Sequence, residues 1–174
     1  MQPAHQPGRS ELLDGPSRAM QAITQAFIVV SGVPGTGKST YANWLCQTYG
    51  FMHQDVDWQG LPSASVLAQR PLVVDWGFPA NEPALADCIA LIRSWKANSA
   101  RLWWFDGDRE AALESFLKRG TVPKQFWDYQ MAGIDDNWRK IEAVINGRLD
   151  VISPAQRLTP EQIFSHMCNS PQTL

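Results

Sequence analysis

The chain has 174 residues, 44% hydrophobic and 18% charged, a length and composition that suit one globular domain with a single core. A net charge of −2 supplies no strong basic field for nucleic acid or anionic lipid, and no apolar run approaches the roughly 20 residues of a membrane span. Cys46, Cys88 and Cys168 are scattered and odd in number, which suits neither a disulfide framework nor a zinc site; they read as reduced thiols of a cytoplasmic protein.

Residues 1–24 lack the apolar stretch of a signal peptide and read as a flexible tail before a domain over 25–174. Residues 27–31 form a continuous apolar run rich in β-branched side chains and bounded by glycine, the pattern of a buried parallel strand. A helix is predicted over 39–49, with Tyr41, Leu45 and Tyr49 on one face and Gly50 as its stop. A short strand is predicted over 51–56 and a short helix over 63–69. Leu72, Val73 and Val74 form a third strand that ends at Asp75.

A long helix is predicted over 81–97, with Asn81 as N-cap and Pro83 in its first turn. A fourth strand covers 101–105, and Asp108 caps a helix that runs to Arg119 before Gly120. Residues 121–133 are aromatic and read as irregular, followed by a helix over 134–146 and a strand over 149–152. Thr159, Pro160, Glu161 and Gln162 have the pattern of a capping box with proline at the first helical position. Strands thus alternate with helices, which predicts an α/β fold: a parallel sheet of five strands with helices on both faces. The eight tryptophans read first as core and flap packing, with stacking against a ligand ring as the alternative.

Gly32, Val33, Pro34, Gly35, Thr36, Gly37, Lys38 and Ser39 match G-x-x-x-x-G-K-[ST], and they lie between the first strand and the helix that follows. The glycines let the backbone wrap a phosphate with its N–H groups turned inward. The helix opening near Lys38 aims its positive end at the same anion. Lys38 places a charge on the β- and γ-phosphates, and Ser39 offers a hydroxyl to Mg²⁺. The binding segment therefore runs from Gly32 to Thr40, and its ligand is a nucleoside triphosphate, ATP or GTP, with Mg²⁺.

With this loop near the start of a small α/β chain, the sequence resembles the small P-loop kinases of adenylate-kinase-like fold. They phosphorylate nucleosides, nucleotides, sugars, antibiotics or nucleic-acid ends. The segment containing His53, Gln54, Asp55, Val56, Asp57 and Trp58 is similar to the corresponding segment of polynucleotide 5′-kinases. That resemblance implies Asp57 as general base toward the acceptor hydroxyl, with Asp55 as the other candidate. Asp75 falls where such proteins place a carboxylate for Mg²⁺. Arg119 matches the second arginine of the R-x-x-x-R pattern that neutralises the transferred phosphoryl group, while Ser115 stands at the first. Lys124, Arg139 and Lys140 are the flap cations open to substitute for it. The resemblance further implies a lid over about 120–135 and places the turn 153–158 against adenine.

Three readings follow: a kinase of a small molecule or nucleotide, a polynucleotide 5′-end kinase, or an ATP-binding switch with weak chemistry. The acidic balance counts against the second, and Ser115 with the aromatic flap motivates the third. Asp57, Trp58, Gln59 and Gly60 spell D-x-x-G too close to the loop for a GTPase, and no N-K-x-D motif exists. His5, His53 and His166 are isolated in sequence, and Asp135 with Asp136 reads as a helix start.

Overall fold

The computed structural model describes residues 23–170. Five strands, β1 (Phe27–Gly32), β2 (Met52–Asp55), β3 (Leu72–Asp75), β4 (Ala100–Gly107) and β5 (Gly147–Ile152), pair in parallel in the order β2-β3-β1-β4-β5. The helices are α1 (Lys38–Tyr49), two single turns α2 (Val56–Gln59) and α3 (Ala64–Leu67), α4 (Ala84–Ala97), α5 (Arg109–Lys118), α6 (Lys124–Glu142) and α7 (Pro160–Asn169). The expected α/β architecture is therefore the observed one.

Strand periodicity explains how the layers form. Successive side chains of a strand point to opposite faces. Phe27 and Val29 of β1, Leu72 and Val74 of β3, and Leu102 and Trp104 of β4 pack on one face with Leu85, Ile92 and Trp95 of α4 and Trp127, Met131 and Ile134 of α6. Ile28, Val30, Val73, Trp103 and Phe105 face the other way, onto Tyr41 and Leu45 of α1 and Ile163 and Met167 of α7. All six residues of β1 are buried, so this central strand fixes the position of the loop that leaves its C-terminal end.

Asp108 caps α5 by accepting from the Ala111 N–H, and the Thr159–Gln162 capping box opens α7 as expected. Four details differ from expectation. Ile23, inside the expected tail, is buried in the α1/α7 core cluster; residues 1–22 lie outside the described residues. The helix expected from Asn81 begins at Ala84, and the Asn81 side chain does not cap it: it donates to the Tyr129 carbonyl of α6 at 3.4 Å.

The segment 121–133, expected to be irregular, belongs mostly to α6, which runs without interruption to Glu142. Trp127, Met131, Ile134 and Ile141 recur at helical spacing and are all buried, and that apolar stripe outweighs the modest helix propensity of the aromatic residues. Only the turn 119–123 and the first turn of α6 remain to form a covering flap. Asp135 and Asp136 consequently lie inside this helix rather than at its start, and Asp135 pairs with Arg109 at 3.5 Å.

Candidate active site

The loop between β1 and α1 sits at the carboxyl edge of the sheet, where β3 and β4 flank β1 and the connections diverge to either side. Gly35 (φ 88°) and Gly37 (φ 92°) adopt left-handed backbone. A Cβ on Gly35 would fall on the Ala112 carbonyl oxygen of α5, and at Gly37 the left-handed φ itself disfavours a side chain. No carbonyl among the described residues takes the backbone N–H of Gly35, Gly37, Lys38, Ser39 or Thr40. These amides crowd the N-terminal end of a 12-residue helix, an anion cradle in the physical sense.

Val33 differs from the expected cradle. Its N–H is bound to the Phe105 carbonyl at 2.9 Å, and its own carbonyl accepts from Thr36 Oγ1 at 2.7 Å. Its part is to pin the loop to β4.

Lys38 Nζ donates to the carbonyls of Gly32 (3.3 Å) and Val33 (3.2 Å), so the ammonium arches back over the loop. Desolvation draws its pKa below the usual lysine range, and the opposing pull comes chiefly from Asp75, then Asp57. Asp75 ends β3 and is buried, and the neighbouring Ser39 hydroxyl favours its charged form. Burial raises its pKa against the attraction of Lys38.

Asp57, in the single turn α2, accepts the Gly77 N–H through both carboxylate oxygens, at 3.2 and 3.0 Å. The residue is exposed overall, yet its carboxyl end is turned onto Gly77 and the cleft, and this desolvation raises its pKa. Asp55 serves the backbone instead. Its side chain caps α2 by accepting the N–H groups of Asp57 (3.1 Å) and Trp58 (3.3 Å). Of the two candidates, Asp57 is the one whose carboxylate borders the cleft.

One cavity of about 410 Å³ brings the sequence-derived residues together: Lys38, Ser39, Asp57, Asp75 and Arg119 all line it, with Trp58, Gly77, Phe116, Phe126 and Gln130. A second cavity of about 350 Å³ continues along the loop past Gly35, Gly37, Thr40, Ser115 and Arg119 to Arg157. The oxygens of Ser39 and Asp75 form a hard donor set that fits Mg²⁺. His53, set aside in the sequence, offers a ring nitrogen within 4.8 Å of carboxylate oxygens of Asp55 and Asp75, while its Nδ1 lies 3.2 Å from Asn43 Oδ1.

Arg157 is the residue the sequence did not single out. It stands on the turn between β5 and α7, and its Nη2 donates to the Gly35 carbonyl at 3.0 Å and to Ser115 Oγ at 2.8 Å. Its guanidinium thus lies beside the position where the R-x-x-x-R pattern would put its first arginine. Partial burial and the neighbouring Arg119 lower its pKa, which places two cations on one side of the loop. Lys124, Arg139 and Lys140 do not fill this role: Lys124 pairs with Asp128, Lys140 pairs with Glu82, and Arg139 borders a separate surface depression.

No family model and no curated protein matches the chain. Solved structures do. It is similar to a shikimate kinase from Acinetobacter baumannii in complex with shikimate, at 13% identity and TM-score 0.59, over 90% of this chain and 99% of that one. It is similar to a gluconokinase from Sinorhizobium meliloti 1021 at 18% identity and TM-score 0.53, over 80% and 91% of the two chains. A shikimate kinase from Bacteroides thetaiotaomicron aligns at 10% identity and TM-score 0.56, over 82% and 96%. The fold is that of the small P-loop kinases.

Proposed function

We propose that the chain is an ATP- and Mg²⁺-dependent kinase that moves the γ-phosphoryl group to a hydroxyl of a small molecule. The observation that carries this reading is the convergence of Lys38, Ser39, Asp57, Asp75 and Arg119 on one cleft beside the glycine loop. Residues from four separate segments of the chain meet there with complementary charge, and each has a distinct role.

The amides of Gly35 and of Gly37 to Thr40 hold the phosphates, and Lys38 swings from the loop carbonyls onto the β- and γ-oxygens. Ser39 and Asp75 would hold Mg²⁺, which when bound would supply charge neutralisation for the phosphates. Asp57 receives the proton of the acceptor hydroxyl as its oxygen bonds to the γ-phosphorus and the bond to the β-phosphate oxygen breaks. Its bidentate bond with Gly77 N–H aims the carboxylate before the acceptor arrives. Arg119 and Arg157 flank the loop and neutralise charge on the departing phosphate side. Arg157 thereby supplies the positive group missing at Ser115.

A polynucleotide acceptor finds no basic track here: among the described residues, Lys38 and Arg119 are the only cations lining the acceptor cleft, and both belong to the phosphate end. The reading is tested with Asp57→Asn. It should lower kcat by about 10²- to 10⁴-fold and leave ATP affinity near that of the unaltered chain. Undiminished turnover would remove Asp57 from the chemistry.

A further inference from the structure

The far end of the acceptor cleft is built differently from its phosphate end. Trp58 is 84% exposed and Phe126 48% exposed, and both border the cleft with Val122, Phe116 and Gly77. Seven of the eight tryptophans pack into or against the two cores; Trp58 alone stands in solvent. An indole left bare beside a general base forms a stacking platform for a flat ring.

The polar groups at that end are neutral. Gln130 is 6% exposed, and its Nε2 donates to the carbonyls of Gly77 (3.2 Å) and Phe78 (2.9 Å). Two carbonyl partners fix which end of the amide is nitrogen. Among the described residues no donor reaches Gln130 Oε1, so the amide offers the cleft an acceptor, which selects an O–H or N–H group on the ligand. Thr121 contributes a hydroxyl.

A carboxylate on the acceptor would enter beside Asp57, facing aromatic side chains and an amide oxygen. It would lose its water without gaining a cation, because Lys38 and Arg119 serve the phosphates. Shikimate, held by the Acinetobacter baumannii structure, is such an acid.

On the kinase reading above, we infer that the acceptor is an uncharged alcohol carrying a flat aromatic ring and a hydrogen-bond donor, of which a nucleoside is the model compound. The ring stacks between Trp58 and Phe126, the donor meets Gln130 Oε1, and the hydroxyl lies at Asp57. A cleft of about 410 Å³ accommodates one ring system with its hydroxyl-bearing arm.

The test is phosphoryl transfer from labelled ATP to a matched panel: the four common ribonucleosides and aryl-glycol alcohols against shikimate, gluconate and neutral non-aromatic sugars. Transfer to at least one neutral aromatic member, at a kcat/KM ten times or more above the acids and the plain sugars, supports the inference. In that case Trp58→Ala should raise the acceptor KM about tenfold, and Trp58→Phe should restore most of it. Preference for the acids or the sugars overturns the acceptor class while leaving a kinase. Magnesium-ATP binding with no transfer to any panel member overturns the acceptor class and counts against the kinase reading as well.

Discussion

Arg157→Ala tests how the chain manages without an arginine at position 115. The guanidinium donates to Ser115 Oγ at 2.8 Å and to the Gly35 carbonyl at 3.0 Å, so it lies against the phosphate loop itself. A hydrogen bond to a charged partner contributes about 1.5–3 kcal/mol, and each 1.36 kcal/mol is a factor of ten. Loss of the guanidinium should therefore cut kcat/KM by about 10- to 150-fold. The fold should survive, because the residue is exposed and water can replace both of its contacts. Ser115→Arg added to Arg157→Ala returns a guanidinium from α5 to the same place and should recover most of the loss. The assay is steady-state transfer from ATP, with thermal unfolding run alongside. A twofold change or less in Arg157→Ala, at unchanged Tm, would refute the assigned role, as would a double variant no better than the single one.

Three further outcomes follow from the geometry. The carboxyl of Asp57 is raised by desolvation, and a base works only when deprotonated, so kcat/KM should fall on the acid side at a pH above that of an ordinary aspartate. A pH profile shows this, and an acid limb at or below the solvent value of about 3.9 would contradict it. Asp75 is buried with a raised pKa, so its charged form is disfavoured in the folded chain: the stability associated with its protonated form is present below the unfolded pKa and is lost as pH rises through the folded value. Asp75→Asn should accordingly raise Tm at pH 7 while removing Mg²⁺-dependent ATP binding; a lower Tm would contradict the sign. Gly35→Ala drives a methyl into the Ala112 carbonyl at a left-handed φ and should lower Tm by several degrees and abolish triphosphate binding, as scanned by thermal shift with and without ATP.

The parts of this molecule that were legible in the sequence are those whose determinants are local. Buried strands announce themselves as runs such as 27–31 and 72–74, and the glycine loop is a contiguous pattern with a strand before it and a helix after it. Asp57 was placed by the resemblance of its segment to polynucleotide 5′-kinases and Asp75 by its position at the end of the third strand, and the fold does bring them to one cleft. Arg157 was opaque because its partners, Ser115 and Gly35, lie 42 and 122 positions away, and no local pattern marks a contact made only by the return of β5. The missing arginine at Ser115 was the available signal, since a vacancy in a charge pattern calls for a cation from elsewhere. The helix α6 was misjudged for another reason. Phe126 and Tyr129 are exposed and blur an apolar stripe that Trp127, Met131, Ile134 and Ile141 nonetheless carry at helical spacing. Asp55 and Asp57 could not be separated by sequence because the choice rests on which carboxylate caps α2 and which turns to Gly77.

Central to this account is that Lys38 and the amides of Gly35 and of Gly37 to Thr40 hold a triphosphate. Titration calorimetry of the unaltered chain and of Lys38→Ala with a non-hydrolysable ATP analogue in magnesium buffer addresses it directly. The unaltered chain should bind with one-to-one stoichiometry, and Lys38→Ala should bind at least tenfold more weakly. No heat of binding from the unaltered chain, or equal affinity in the two proteins, would contradict the account.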